Sequence, residues 1–148
     1  MTTAMTRDEF LDYIDCFNRK DFDGLTRYFA PDVTVEYYDN ATGPHLPART
    51  LYGREGFVEN YKALFASVQE VLEVGDFLAT EDRVFVELYT EFHPFADTPA
   101  SGGRQAWKKG EPVIMTNWVL YTMAEGKMKR IRIAHFRNHD PKTAQYRP

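Results

Sequence analysis

From residue 68 to residue 136 the chain reads mainly as strand, in four long runs at 68–78, 83–92, 112–123 and 127–136. The turns "TED" and "AEG" join two pairs of these runs closely enough for hairpins. This feature constrains the fold most. A meander with one apolar face must be covered, and the helical segments lie ahead of it in the chain.

Those segments are marked by spacing. Thr6 and Glu9 stand at the interval of a capping box, and Phe10, Tyr13, Ile14 and Phe17 recur at helical intervals, which predicts a helix over 6–19. "KDFDGL" restarts the chain, with Asp21 or Asp23 capping a short second helix that carries Leu25, Tyr28 and Phe29 and is ended by Pro31. "DVTVEYYDN" is a first strand with Val33, Val35, Tyr37 and Asp39 on one face, and a polar loop with Gly43, Pro44 and Pro47 follows. "GREGFVENYKALFASV" is a third helix, apolar along Phe57, Val58, Tyr61, Leu64 and Phe65. The expected fold is α+β: one domain over 1–148 with an ordered core at 6–140, in which a curled antiparallel sheet wraps three N-terminal helices as a cone with an open mouth. The stretch 93–112, "HPFADTPASGGRQAWKKGEP", is too long and too rich in Pro and Gly for a simple turn, and reads as a protruding hairpin, a lid or an oligomer arm.

Aromatic residues make up 15% of the chain, enough to wall a large core or an apolar pocket. The formal net charge of −4 argues against a nucleic-acid partner, and the basic residues Lys127, Lys129, Arg130, Arg132 and Arg137 read as a solvated strand face. Cys16, the one cysteine, excludes an internal disulfide and sits among apolar neighbours. With no signal peptide and no stretch that could span a bilayer, a cytoplasmic protein without a membrane partner is expected.

Strand parity then nominates the residues that face inward. His135 continues the row of Ile131 and Ile133. Glu70 shares parity with Val68, Leu72 and Val74; Val84, Val86, Leu88, Thr90 and Phe92 share another row. "VIMTNWVLY" is apolar on both faces, so parity leaves open whether Asn117 or Trp118 points in. Tyr13 lies at the edge of the first helix's apolar stripe, and Tyr37 and Asp39 continue beyond two valines. Each alone reads as a structural residue: Glu70 at a strand end, Asp39 capping a turn, Tyr13 as core with its hydroxyl at the rim. Together they would place carboxylates, phenols, an amide and an imidazole against apolar walls, a set suited to moving protons.

His135 and His139 with Asp140 form H-x-x-x-H-D, but without a cysteine pair or a paired-histidine helix no metal site is expected. No phosphate loop, nucleophile elbow or dinucleotide fingerprint is present, so no cofactor is expected either.

Three stretches, "YIDCFNRKDFDGLTRYFAPDVTVEYY", "LYGREGFVENY" and "NWVLYTMAEGKMKRIRIAHF", resemble the nuclear transport factor 2-like superfamily, which includes SnoaL-like polyketide cyclases, ketosteroid isomerase, scytalone dehydratase and limonene epoxide hydrolase. The resemblance implies the cone and a homodimer, for which the outward face of the 83–92 strand, with Glu87, Tyr89 and Glu91, is the nominated surface. It places Tyr13 where the isomerase holds an oxyanion, and Asn117 where the dehydratase has an active-site asparagine, which turns Asn117 inward. Tyr37 matches a tyrosine of the dehydratase site and occupies the isomerase's base position. Glu70 lies near the place of a dehydratase histidine, and His135 stands where these families carry a bulky cavity residue.

The resulting expectation is a cofactor-independent isomerase, cyclase or dehydratase acting on a hydrophobic polyketide or terpenoid intermediate of natural-product biosynthesis. His135, Asn117, Tyr37, Asp39 and Glu70 are its catalytic candidates, and Tyr13, Phe17, Leu88, Phe92 and Trp118 its substrate contacts. The alternative is a non-catalytic cone that binds a ligand or a protein.

Overall fold

The computed structural model describes residues 2–38, 47, 49–101 and 105–147. Helix α1 spans Arg7–Asn18 and opens on the expected capping box: the Glu9 amide donates to Thr6 Oγ1 at 3.1 Å and the Thr6 amide to Glu9 Oε1 at 3.0 Å. Helix α2 is Phe22–Thr26, and Asp21, not Asp23, caps it by accepting from the Gly24 amide at 2.9 Å. A Cβ on Gly24 would stand 2.4 Å from that carboxylate, so only glycine admits the cap.

Tyr28 and Phe29, expected on this helix, lie beyond it. Strand β1 begins at Phe29 and runs through Pro31 to Tyr38. The proline is tolerated because the pairing of β1 is irregular between Phe29 and Thr34, where its nitrogen owes no ladder bond. A second departure is β2, Arg49–Tyr52, in the segment read as loop; four residues are too few for alternation to show. Helix α3 is Gly53–Phe65, followed by β3 (Val68–Ala79), β4 (Arg83–Pro94), β5 (Val113–Ala124), β6 (Lys127–His139) and the 3-10 turn η1 (Pro141–Thr143). The β5–β6 turn has positive φ at both Glu125 and Gly126, as a two-residue hairpin of this hand requires.

The strands form one curled, unclosed sheet in the order β2-β1-β6-β5-β4-β3. The sheet is antiparallel as expected except at one pair: β1 and β6 run parallel, with Val35 opposite Ile131 and Tyr37 opposite Ile133. Their separation in sequence leaves room for the crossover such a pair needs. The helices cover one face, and the core is largely aromatic: Phe10 meets Tyr13, Phe77 and Tyr121, while Tyr61 meets Phe17, Phe57 and Phe65. Asn18, the last residue of α1, bonds both backbone groups of Leu72 at 2.9 Å and so ties the helix to the edge strand β3.

The described residues of the 93–112 segment turn back on the sheet. Thr98 and Trp107 exchange backbone bonds, and the buried Trp107 ring packs 4.9 Å from Phe92. Beyond β6 the chain returns across the outer face of β4. The amides of Gln145 and Tyr146 donate to Glu91 at 2.7 and 3.1 Å, covering part of the face nominated for dimer contact. Among the described residues, no helix is long and apolar enough to cross a membrane, which says nothing of β-barrels.

Candidate active site

Between α1, α3 and the inner face of the sheet lies a cavity of about 370 Å³. Register places its polar groups. Leu88, Asn117 and His135 are direct neighbours across β4, β5 and β6, and all three line the cavity. One row along, Val119, Ile133, Tyr37 and Arg49 follow one another across β5, β6, β1 and β2.

His135 faces inward by alternation with Ile131 and Ile133, and a bulge follows it directly. Asn117 opposes His135 while Thr116 opposes Arg137, so Phe136 is the extra residue. Its ring stays outside, stacked 4.1 Å from Trp118. The bulge also reverses parity beyond it: His139 meets Thr116 Oγ1 at 2.7 Å and the ring of Tyr89, away from the cavity. The two histidines of H-x-x-x-H therefore do not share a face, although both lie on β6, which runs on through Phe136, Arg137 and Asn138 to His139. Among the described residues, no group of three or more His, Cys, Asp or Glu could hold a metal ion.

Trp118 corrects another expectation. It lies on the outer face, 40% exposed, and its indole N–H donates to Glu87 at 2.9 Å. With Asn117 turned inward, alternation forces Trp118 outward. Asp39 lies outside the described residues. The remaining candidates (Tyr13, Phe17, Tyr37, Glu70, Leu88, Phe92, Asn117 and His135) all reach the one cavity.

Two phenols meet there, Tyr37 from β1 and Tyr61 from α3, with their hydroxyls 2.7 Å apart. Burial pushes Tyr13, Tyr61 and Tyr121 well above the ordinary phenol range, so all three stay protonated as potential donors. The guanidinium of Arg49 bonds the buried Asn60 side chain and lies 5.9 Å from the centre of the Tyr37 ring. Sequence reasoning did not place Tyr61, which its helical spacing marked as core, or Arg49, which lay in a presumed loop, on the wall of this cavity.

Two buried carboxyls contrast. Burial raises Glu70 from 4.5 to about 8, with Lys20 pulling the other way. Its Oε1 is buried without a hydrogen-bond partner. Burial also opposes ionisation of Glu91, on the outer face, but bonds from Tyr89, Gln145, His93 and Tyr146 hold it below the ordinary range. Glu70 is thus the carboxyl that keeps its proton near neutral pH. A base-capable imidazole, an amide, phenols and a neutral acid on apolar walls can take a proton from carbon and steady the oxygen that gains charge.

Comparison with known proteins agrees with this fold. The SnoaL-like domain family matches residues 10–131. A SnoaL-like polyketide cyclase from Agrobacterium tumefaciens has 19% identity and a TM-score of 0.62, covering 93% of this chain and 94% of that one. An NTF2-like protein of unknown function from Burkholderia pseudomallei has 14% identity and a TM-score of 0.65, covering 86% of this chain and 87% of that one. TerC, co-crystallised with polyporic acid, has 19% identity and a TM-score of 0.64, covering 86% of this chain and 88% of that one. At these identities the likeness is one of fold. No curated protein sequence matches the chain.

Proposed function

This chain belongs to the SnoaL-like family, and on that premise we propose that it is a cofactor-independent acid/base enzyme, an isomerase, cyclase or dehydratase, acting on an apolar polyketide or terpenoid intermediate. One observation carries the reading: His135 and Asn117 are paired across β5 and β6 on the wall of an aromatic-lined cavity that also holds a proton-retaining carboxyl. In the proposed mechanism His135 removes a proton from carbon beside a carbonyl. The Asn117 amide and the Tyr37–Tyr61 hydroxyl pair donate to the oxygen as it becomes an enolate. His135 or Glu70 then returns a proton at carbon or to a departing hydroxyl. The crystallisation of a protein of this fold with polyporic acid supports a small organic molecule as the occupant.

The test uses 2-tetralone as a carbon acid and follows exchange of its α-hydrogens in D₂O by NMR. The protein is expected to accelerate exchange, His135→Phe to slow it by about 10²–10⁴, and Asn117→Ala by about 10²–10³. Exchange at the parental rate in His135→Phe would remove the imidazole from the mechanism. No acceleration by the parent itself would favour the non-catalytic binding module.

A homodimer is part of the proposal, supported by the aromatic strip of Phe85, Trp118 and Phe136 on the outer face of β4, β5 and β6, where Trp118 and Phe136 are exposed. Light scattering that finds only the 17.2 kDa chain at micromolar concentration would refute that part.

A further inference from the structure

Two groups on the cavity wall carry a buried oxygen that has no hydrogen-bond partner. Glu70 is 6% exposed and Thr90 is 0% exposed, yet Glu70 Oε1 and Thr90 Oγ1 are buried without a hydrogen bond. They stand on neighbouring strands: Leu72 opposes Thr90 and Phe92 opposes Glu70, so the two are diagonal neighbours on one face. Such pairs have their Cα atoms about 7–8 Å apart, a gap their side chains can narrow around a single guest atom. The Asn18 clamp on Leu72 holds β3 in place at this point.

A buried polar atom without a partner is a standing cost, and natural cores carry few. Two on residues that line the same cavity, from adjacent strands, are explained together if a guest supplies the missing acceptor once the side chains turn toward it. We propose that Glu70 and Thr90 form a second subsite, which binds a carbonyl oxygen of the substrate through one O–H donated by each side chain.

The donor inventory selects a carbonyl. A carboxylic acid offers one O–H and a threonine hydroxyl one more, and a ketone or quinone oxygen has two lone pairs to receive them. A buried ammonium would instead demand the ionised carboxylate, in surroundings where Leu72, Leu88 and Phe92 offer no solvation. From Asn117 to Thr90 is a second diagonal step of about 7–8 Å, because Asn117 opposes Leu88. A ligand that reaches both ends therefore carries oxygens on opposite ends of a ring system at least two rings long. The inference rests on reading the cavity as a substrate site, but on no proton being moved in it.

The test is binding of 9-fluorenone, which has no enolisable hydrogen, against fluorene, which has the same rings without the carbonyl. The parent is expected to prefer fluorenone by about tenfold or more, and to shift the bound C=O stretch to lower frequency. Thr90→Val and Glu70→Leu should each reduce the preference about three- to tenfold and return part of the shift, whereas Thr90→Ser and Glu70→Gln, which keep a donor, should retain most of both. Unchanged fluorene affinity in the variants shows that the cavity is intact. Ligand-free Thr90→Val should melt at or above the parental temperature, since its hydroxyl has no partner to lose.

Equal affinity for the two probes would overturn the subsite, as would an unshifted stretch or a preference that survives Thr90→Val. So would a lowered melting temperature in Thr90→Val, or tighter binding of 9-aminofluorene than of fluorenone. Because fluorenone cannot exchange, these outcomes are independent of the tetralone result. A silent cavity with a working subsite, or the reverse, tells the two proposals apart.

Discussion

Replacing Glu70 with Gln should make the stability of this protein less sensitive to pH, with a sign that follows from the buried carboxyl. Unfolded, the group titrates near its ordinary 4.5; folded, burial holds it at about 8. Below pH 4.5 both states carry the proton and the carboxyl costs no ionisation. Between pH 4.5 and 8 the unfolded chain gives up a proton that the folded one keeps, so stability falls as pH rises, by about 1.4 kcal/mol per pH unit. Above 8 both states are ionised and the loss levels off. Over the interval from 4.5 to about 8 the total is about 5 kcal/mol, with about 3 kcal/mol already lost at pH 7. These are ceilings, because relaxation and water entry soften the cost of the buried charge.

The assay is urea unfolding of the parent and Glu70→Gln at intervals from pH 5 to pH 9. Other titrating groups cancel in the difference, which should grow in favour of the variant up to about pH 8 and then flatten. A difference constant within about 0.5 kcal/mol from pH 5 to pH 8 would refute the reasoning. It would mean that Glu70 is ionised in the folded state, with Lys20 or water satisfying it, and a donor role for its carboxyl would fall with it.

Trp118→Ala should leave the tetralone KM within about twofold of the parent, because the ring lies on the outer face against Phe136 and Glu87; a KM raised tenfold would return it to the cavity. Phe10→Ala should cost about 3–5 kcal/mol in urea unfolding, since the ring is fully buried among Tyr13, Phe77 and Tyr121; a loss below about 1 kcal/mol would show that the helix–sheet core repacks freely.

What was legible in the sequence was short-range. Thr6 and Glu9 announced the start of α1 because a capping box is closed within one turn, and the apolar stripe from Phe10 to Phe17 was legible because helical neighbours are three and four residues apart. Alternation placed Glu70, Leu88, Phe92 and His135 on inward faces, and "AEG" marked its hairpin, since each is a relation among residues a few positions apart. Alternation was silent between Asn117 and Trp118, where both faces of β5 are apolar; the family resemblance pointed to Asn117 and the fold placed it inward. Tertiary structure alone decided the parallel pairing of β1 with β6, the recruitment of Arg49 and Tyr61 and the depth of Glu70, because each depends on contacts far apart in the chain. The bulge at Phe136 is the sharpest case. His135 and His139 have the spacing of one strand face, but a single extra residue in the ladder sends one to the cavity and the other to the outer surface. Strand spacing is local chemistry, whereas register is settled only when the partner strand is in place and burial selects the side on which each ring lies.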